Sequence, residues 1–111
     1  MDYGLCNRVV TIYRNAGGVI SRQVVEKAWL FTEIGFVGRD REPVRKFLLI
    51  LPGEDTPLFP GDRVYDGIGP EEVDWQTFLP INHPFLVEVG RVREFRMGGK
   101  ILHREAEQGW T

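Results

Sequence analysis

One cysteine, one serine and two histidines are all that these 111 residues offer to most nucleophilic and metal chemistry. With Cys6 alone, neither an internal disulfide nor a zinc knuckle can form, which fits a protein made and used in a reducing cytoplasm. Ser21 lies in an ordinary strand context without the G-x-S-x-G elbow that exposes a serine nucleophile. His83 stands in an Asn82-His83-Pro84 loop, and His103 alternates with Ile101 and Glu105 along a terminal strand. A buried free cysteine such as Cys6 ordinarily acts as a small hydrophobe.

The acids have no calcium-loop spacing, and the neighbours Glu54-Asp55 and Glu71-Glu72 point apart in extended chain. Gly67-Ile68-Gly69 is followed by Pro70 and acids, which would repel a phosphate. The residues therefore point to a non-enzymatic protein that needs no metal or cofactor. Long apolar runs are also missing. The longest, Phe47 to Leu51, is far short of the roughly 20 residues of a membrane helix. The start, MDYGLCNRVV, lacks the pattern of a signal peptide.

What is present is an ordinary globular composition, 42% hydrophobic and 27% charged, in a length suited to one domain. The net charge of −2 argues against a dedicated nucleic-acid binder. Charge is unevenly placed, however. From Glu54 to Asp74 seven acids face only Arg63, a local balance of −6, and from Arg91 to Arg104 five bases face Glu94, a balance of +4. Either these are two solvated faces, or the acidic side of one subunit meets the basic side of the next.

Turn signals recur every ten to fifteen residues, and the stretches between them read as strands. Cys6–Arg14 carries Val10 and Ile12 on one face, with Val9, Thr11 and Tyr13 on the other. Asn15-Ala16-Gly17-Gly18 turns into Val19–Phe31, where the alternation places Trp29 in the core. Gly35–Pro43 reads as a polar loop, and Val44–Leu51 as a buried strand stopped by Pro52-Gly53. Arg63–Tyr65 is a short strand, and Pro70–Leu79 has, in Pro70, Glu71 and Glu72, the proline and acids of a short helix start. Trp75 would pack that helix onto the body. Phe85–Arg96 reads as one long strand, with an expected β-bulge near Gly90 that restores its phase. Met97-Gly98-Gly99-Lys100 then turns into Ile101–Ala106.

The expected fold is mainly β: a single small antiparallel β-barrel or sandwich with one short helix, spanning 1–111, with a short flexible tail from about 107. Trp110, with no evident core to join, is a candidate contact residue, since aromatics are enriched at interfaces. Arg91, Arg93, Arg96 and Lys100, with Phe95 among them, leave a nucleic-acid-binding barrel as the alternative.

The order of motifs carries a resemblance. An early V-T-I-Y strand (Val10–Tyr13) leads to a strand ending at Trp29, then an aliphatic strand closing in Leu51-Pro52. P-G-D-R-V (Pro60–Val64) follows, with Gly67 close behind, then V-x-V (Val87–Val89) and G-G-K-I-L-H-R-E (Gly98–Glu105). This series resembles small structural proteins of tailed phages and prophages, of the minor capsid or head–tail connector type. The resemblance implies a ring between portal or adaptor and tail, closing the DNA-filled head and docking the tail. It implies copies of itself, portal or adaptor, and tail proteins as partners, with packaged DNA passing through without sequence-specific binding and no membrane. It places the protein in the virion neck, after synthesis in the host cytoplasm. Stopper, adaptor and tail-completion roles all fit. Within it, Arg91, Arg93 and Arg96 are candidate intersubunit contacts. Gly35–Pro43, with Arg39, Asp40, Arg41 and Glu42, and Pro52–Pro60, with Glu54 and Asp55, are candidate tunnel or partner loops.

Overall fold

The computed structural model describes residues 3–37 and 42–108. After a 3-10 turn at Tyr3–Leu5 come seven strands: β1 (Arg8–Ala16), β2 (Val19–Val37), β3 (Glu42–Pro52), β4 (Arg63–Asp66), β5 (Leu86–Glu88), β6 (Arg91–Met97) and β7 (Lys100–Glu107). They form one antiparallel sheet in the order β5-β4-β1-β2-β3-β7-β6.

That order explains how the sheet curls. The two ends of the series, β5 and β6, are separated in sequence only by Val89 and Gly90. The Val89 N–H donates to the Asp62 carbonyl beside β4, while the Gly90 N–H donates to the Glu107 carbonyl of β7. One stretch of chain thus ties both ends of the sheet together, and the result is barrel-like. At the opposite corner β2 does the same work: its first half pairs with β1 as far as Ala28, and its second half pairs with β3 from Trp29 onward. The sheet therefore has two wings, β5-β4-β1-β2 and β2-β3-β7-β6.

Period-2 alternation fills the space between them. Val10 and Ile12 of β1, Ala28 and Leu30 of β2, and Phe47, Leu49 and Leu51 of β3 all turn inward. Leu58, Val64, Val87, Val89 and Ala106 complete the same cluster. Turn glycines stand where expected: Gly17 and Gly18, then Gly98 and Gly99, have the positive φ that these hairpins need.

The opposite face of β1, β4 and β5 is covered by the excursion between β4 and β5. Tyr13, Phe78 and Leu86 form a second buried cluster there, with Tyr65, Val73 and Trp75 packed against it. The Thr11 hydroxyl donates to the Gly67 carbonyl and accepts from the Gly69 N–H, at 2.8 and 2.9 Å. The Tyr13 hydroxyl donates to the Pro70 carbonyl, and burial raises its pKa against a lowering contribution from Arg22. Gly69 is needed for this approach, because a Cβ there would overlap the Tyr13 hydroxyl and lie 3.1 Å from the Tyr65 ring. Gly69→Ala should cost about 1–3 kcal/mol, the usual range for overpacking. The cost should shrink when Tyr13→Phe removes the hydroxyl; chemical denaturation of both singles and the double checks this. Additive losses would show that the tyrosine hydroxyl is not what crowds the site.

Four expectations are corrected. Pro70–Leu79 makes no helix, only a turn in which the Phe78 N–H donates to the Asp74 carbonyl. Two of the carbonyls a helix would use internally, those of Pro70 and Trp75, are taken by Tyr13, Arg22 and Arg63 from distant strands. At Gly90 the chain changes wings rather than bulging within one strand. The bulge-type irregularities lie elsewhere, where β1 meets β2 and between Phe95 and Arg96. The first of these shifts the phase of β2, so Leu30 enters the core and Trp29 is half-buried outside, stacked on Phe31 with ring centroids 6.0 Å apart. Lastly, the Gly35–Pro43 loop is shorter than expected, since β2 runs to Val37 and β3 begins at Glu42.

Candidate functional site

Arginines on the strands hold the two long excursions by their backbone carbonyls. Arg104, buried on β7, donates to the carbonyls of Glu54 and Thr56 at 3.0 and 2.7 Å, and its Nε donates to Glu94 at 3.1 Å. Arg14 on β1 donates to the Pro57 carbonyl and, through two nitrogens, to the buried Asp62 carboxylate at 2.9 and 2.8 Å. Arg22 on β2 donates to the carbonyls of Gly69 and Pro70. Arg63 on β4 donates to those of Trp75 and Phe78 at 2.6 and 2.7 Å and lies 3.8 Å over the Trp75 ring. A guanidinium offers several donors in a fixed plane, which suits it to bridge two carbonyls of a turn. The candidate tunnel loop at Pro52–Pro60 is thereby held in one shape, with the Glu54 and Asp55 side chains exposed.

The candidate contact arginines lie on β6. Arg91 and Arg93 share the outer face and approach Glu107 at 3.3 and 3.9 Å, while Arg96 pairs with Glu94 at 3.0 Å. Hydrogen bonds, chiefly from Arg96 and then from Arg104, hold the Glu94 carboxyl below its ordinary pKa. Each of these three bases therefore has a carboxylate beside it within its own hairpin. Arg39, Asp40, Arg41 and Trp110 lie outside the described residues, as does the Glu42 side chain. Lys100 opens β7 at the exposed tip of the β6–β7 hairpin.

The histidines are packed against rings. His103 is buried, stacked on Phe95 at 4.6 Å, with Nε2 3.1 Å from Glu105, and His83 lies 5.1 Å from Phe78. Cys6 is buried. Among the described residues no group of three or more His, Cys, Asp or Glu side chains converges on one point.

Two features were not anticipated from the sequence. One is the arm: β3 pairs with β7 only over Leu48–Pro52, so the β2–β3 hairpin continues beyond it as two strands, to Val37 and from Glu42. The Gln108 side chain accepts from the Phe47 N–H just past the end of that pairing. The molecule accordingly measures 44 × 33 × 25 Å. The other is an outer face on the second wing that displays Trp29 and Phe31 at one edge and Phe95 and Met97 at the other. A strand reading to Phe31 followed by a loop hid the arm. Only the β-branched and aromatic run through Phe36-Val37 hinted at it. The chain matches no protein-family model, and no curated protein or solved structure gives a match either.

Proposed function

We propose that this protein is a non-enzymatic subunit of a tailed-phage neck, forming a ring between portal or adaptor and tail that closes the DNA-filled head and docks the tail. The observation that carries the reading is the two-stranded arm, in which the β2–β3 pairing runs past the last β3–β7 pair as far as Val37 and Glu42. Paired backbone extending from a small barrel is a means of reaching a neighbour. The order of motifs from Val10 to Glu105 supports the same reading. In it, the clamped loops narrow a central passage by shape, and exposed acids such as Glu54, Asp55, Glu71 and Glu72 keep passing DNA from adhering. Localisation to the virion neck and contact with portal and tail proteins belong to the proposal.

Particles made without this gene test it, by negative-stain microscopy with head DNA assayed alongside. Separate tails and heads that have lost DNA are the expected result for head closure. DNA-filled heads without tails would move the subunit to the tail side, and intact infectious particles would overturn the neck reading. A nucleic-acid-binding barrel is favoured by one arrangement, Arg91, Arg93 and Phe95 on a single face of β6. It requires single-strand affinity that falls steeply with salt. The Glu107 carboxylate beside both of those arginines disfavours a polyanionic strand there and favours the protein partner instead.

A further inference from the structure

The second wing has an open edge on each side. β6 is the last strand of the series, and β2 from Trp29 to Val37 pairs with β3 alone, because β1 ends its pairing at Ala28; this holds among the described residues. Open edges present unpaired N–H and C=O groups and are templates for another chain. The strands of this wing alternate in direction, so β6 of one copy laid beside β2 of the next would again be antiparallel. Both edges also carry exposed apolar side chains: Phe31 is 50% exposed, Phe95 39% and Met97 71%.

We infer that copies of this chain join head to tail by pairing β6 of one with the free half of β2 of the next, in the register that sets Arg93 opposite Glu33. The inference takes its occupant, a second copy, from the ring reading above. Three observations select the register. Cross-strand partners must share a face, and Trp29, Phe31 and Glu33 lie on the outer face, as do Arg93, Phe95 and Met97. With Arg93 opposite Glu33, Phe95 falls opposite Phe31 and Met97 opposite Trp29. That gives one pair of opposite charge, one of two rings and one of sulfur against indole, all favourable cross-strand partners. Thirdly, β6 spans Arg91–Met97, and the same register runs it along β2 from Gly35 back to Trp29, which is where the edge ceases to be open.

The geometry of repetition follows. Within one copy Arg93 lies level with Trp29, through Glu105 and Ile50, so pairing it with Glu33 displaces the next copy by four residues. That is roughly 13 Å along the strands for roughly 19 Å across four of them, a tilt of about 35°, at the lower bound of the range in which sheets close on themselves. Contacts between two different surfaces either close into rings or run on as filaments, and this tilt suits closure.

Disulfide trapping tests the register. In a Cys6→Ser background, Glu33→Cys and Arg93→Cys together should give a ladder of covalent multimers under mild oxidation, collapsing on reduction. Thr32→Cys with Arg93→Cys, on opposite faces, should lose the ladder. Arg93→Glu in the otherwise native chain should lose assembly, and Glu33→Arg with Arg93→Glu should restore it. No ladder, equal ladders in both cysteine pairs, or assembly untouched by either charge reversal would overturn the pairing. The particle experiment is separate. A ladder with intact particles keeps the pairing and removes the neck, and defective particles without a ladder do the reverse.

Discussion

Arg63→Met should lower the unfolding free energy by about 3 kcal/mol, within the range for breaking a buried charged hydrogen-bond network. Arg63 is 7% exposed, and its guanidinium supplies the donors for the Trp75 and Phe78 carbonyls while covering the Trp75 ring. Methionine fills much of the same space but donates nothing, so two carbonyls near the second cluster lose their partner. Glu88, 3.6 Å from Nε, loses its cation at the same time. Lysine should rescue only part of the loss, because one ammonium on a flexible stem does not reproduce the fork. Urea denaturation gives the total, and hydrogen exchange at the Phe78 and Asn82 amides shows whether the covering segment opens first. A loss below about 1 kcal/mol would mean that Tyr13, Phe78 and Leu86 hold the segment by packing alone.

The neighbouring residue carries the second large effect. Asp62→Ala should also cost about 3 kcal/mol, since it strips a bidentate partner from Arg14 and an acceptor from the Phe59 N–H. The Asp62 side chain is 2% exposed and that of Arg14 28%, so water relieves only the arginine. Asp62→Asn retains an acceptor and should lose less than alanine does. The consequence reaches the barrel corner, because the Gly61 N–H donates to the Val89 carbonyl and the Val89 N–H to the Asp62 carbonyl. Limited proteolysis between Pro57 and Gly61 should accelerate in the alanine variant. Unchanged cleavage would place the stability of that corner in the backbone pairs themselves.

Asp62 and Arg63 also show what sequence reading captures and what it misses. Alternation along β1 and the first part of β2, the apolar run of β3, and turns at Gly17-Gly18 and Gly98-Gly99 are local signals, and so the β class was legible. Pro43 suggested a loop, yet it lies in β3 where, among the described residues, no strand pairs on the other side, the position at which a sheet tolerates proline. Pro70, Glu71 and Glu72 begin a helix on local grounds, but the carbonyls of Gly69, Pro70, Trp75 and Phe78 are claimed by Arg22, Tyr13 and Arg63 from remote strands. No window of a dozen residues contains that competition. Trp29 was misplaced for a related reason: one irregularity in the pairing of β1 with β2 reversed the faces beyond it. As for the candidate contacts, charge alone marked Arg91, Arg93 and Arg96, whereas their carboxylate neighbours come from β7 and from two residues away on β6.

The arginine clamps bear on how this surface can change over generations. Arg104 and Arg14 hold the segment after Pro52 through the oxygens of Glu54, Thr56 and Pro57, atoms that every amino acid possesses. Mutation at Glu54 or Asp55 alters what the segment displays without altering what grips it. Such a loop can drift toward a new binding specificity while its path stays fixed, and a foreign peptide epitope grafted between Gly53 and Thr56 would inherit a ready-made conformation.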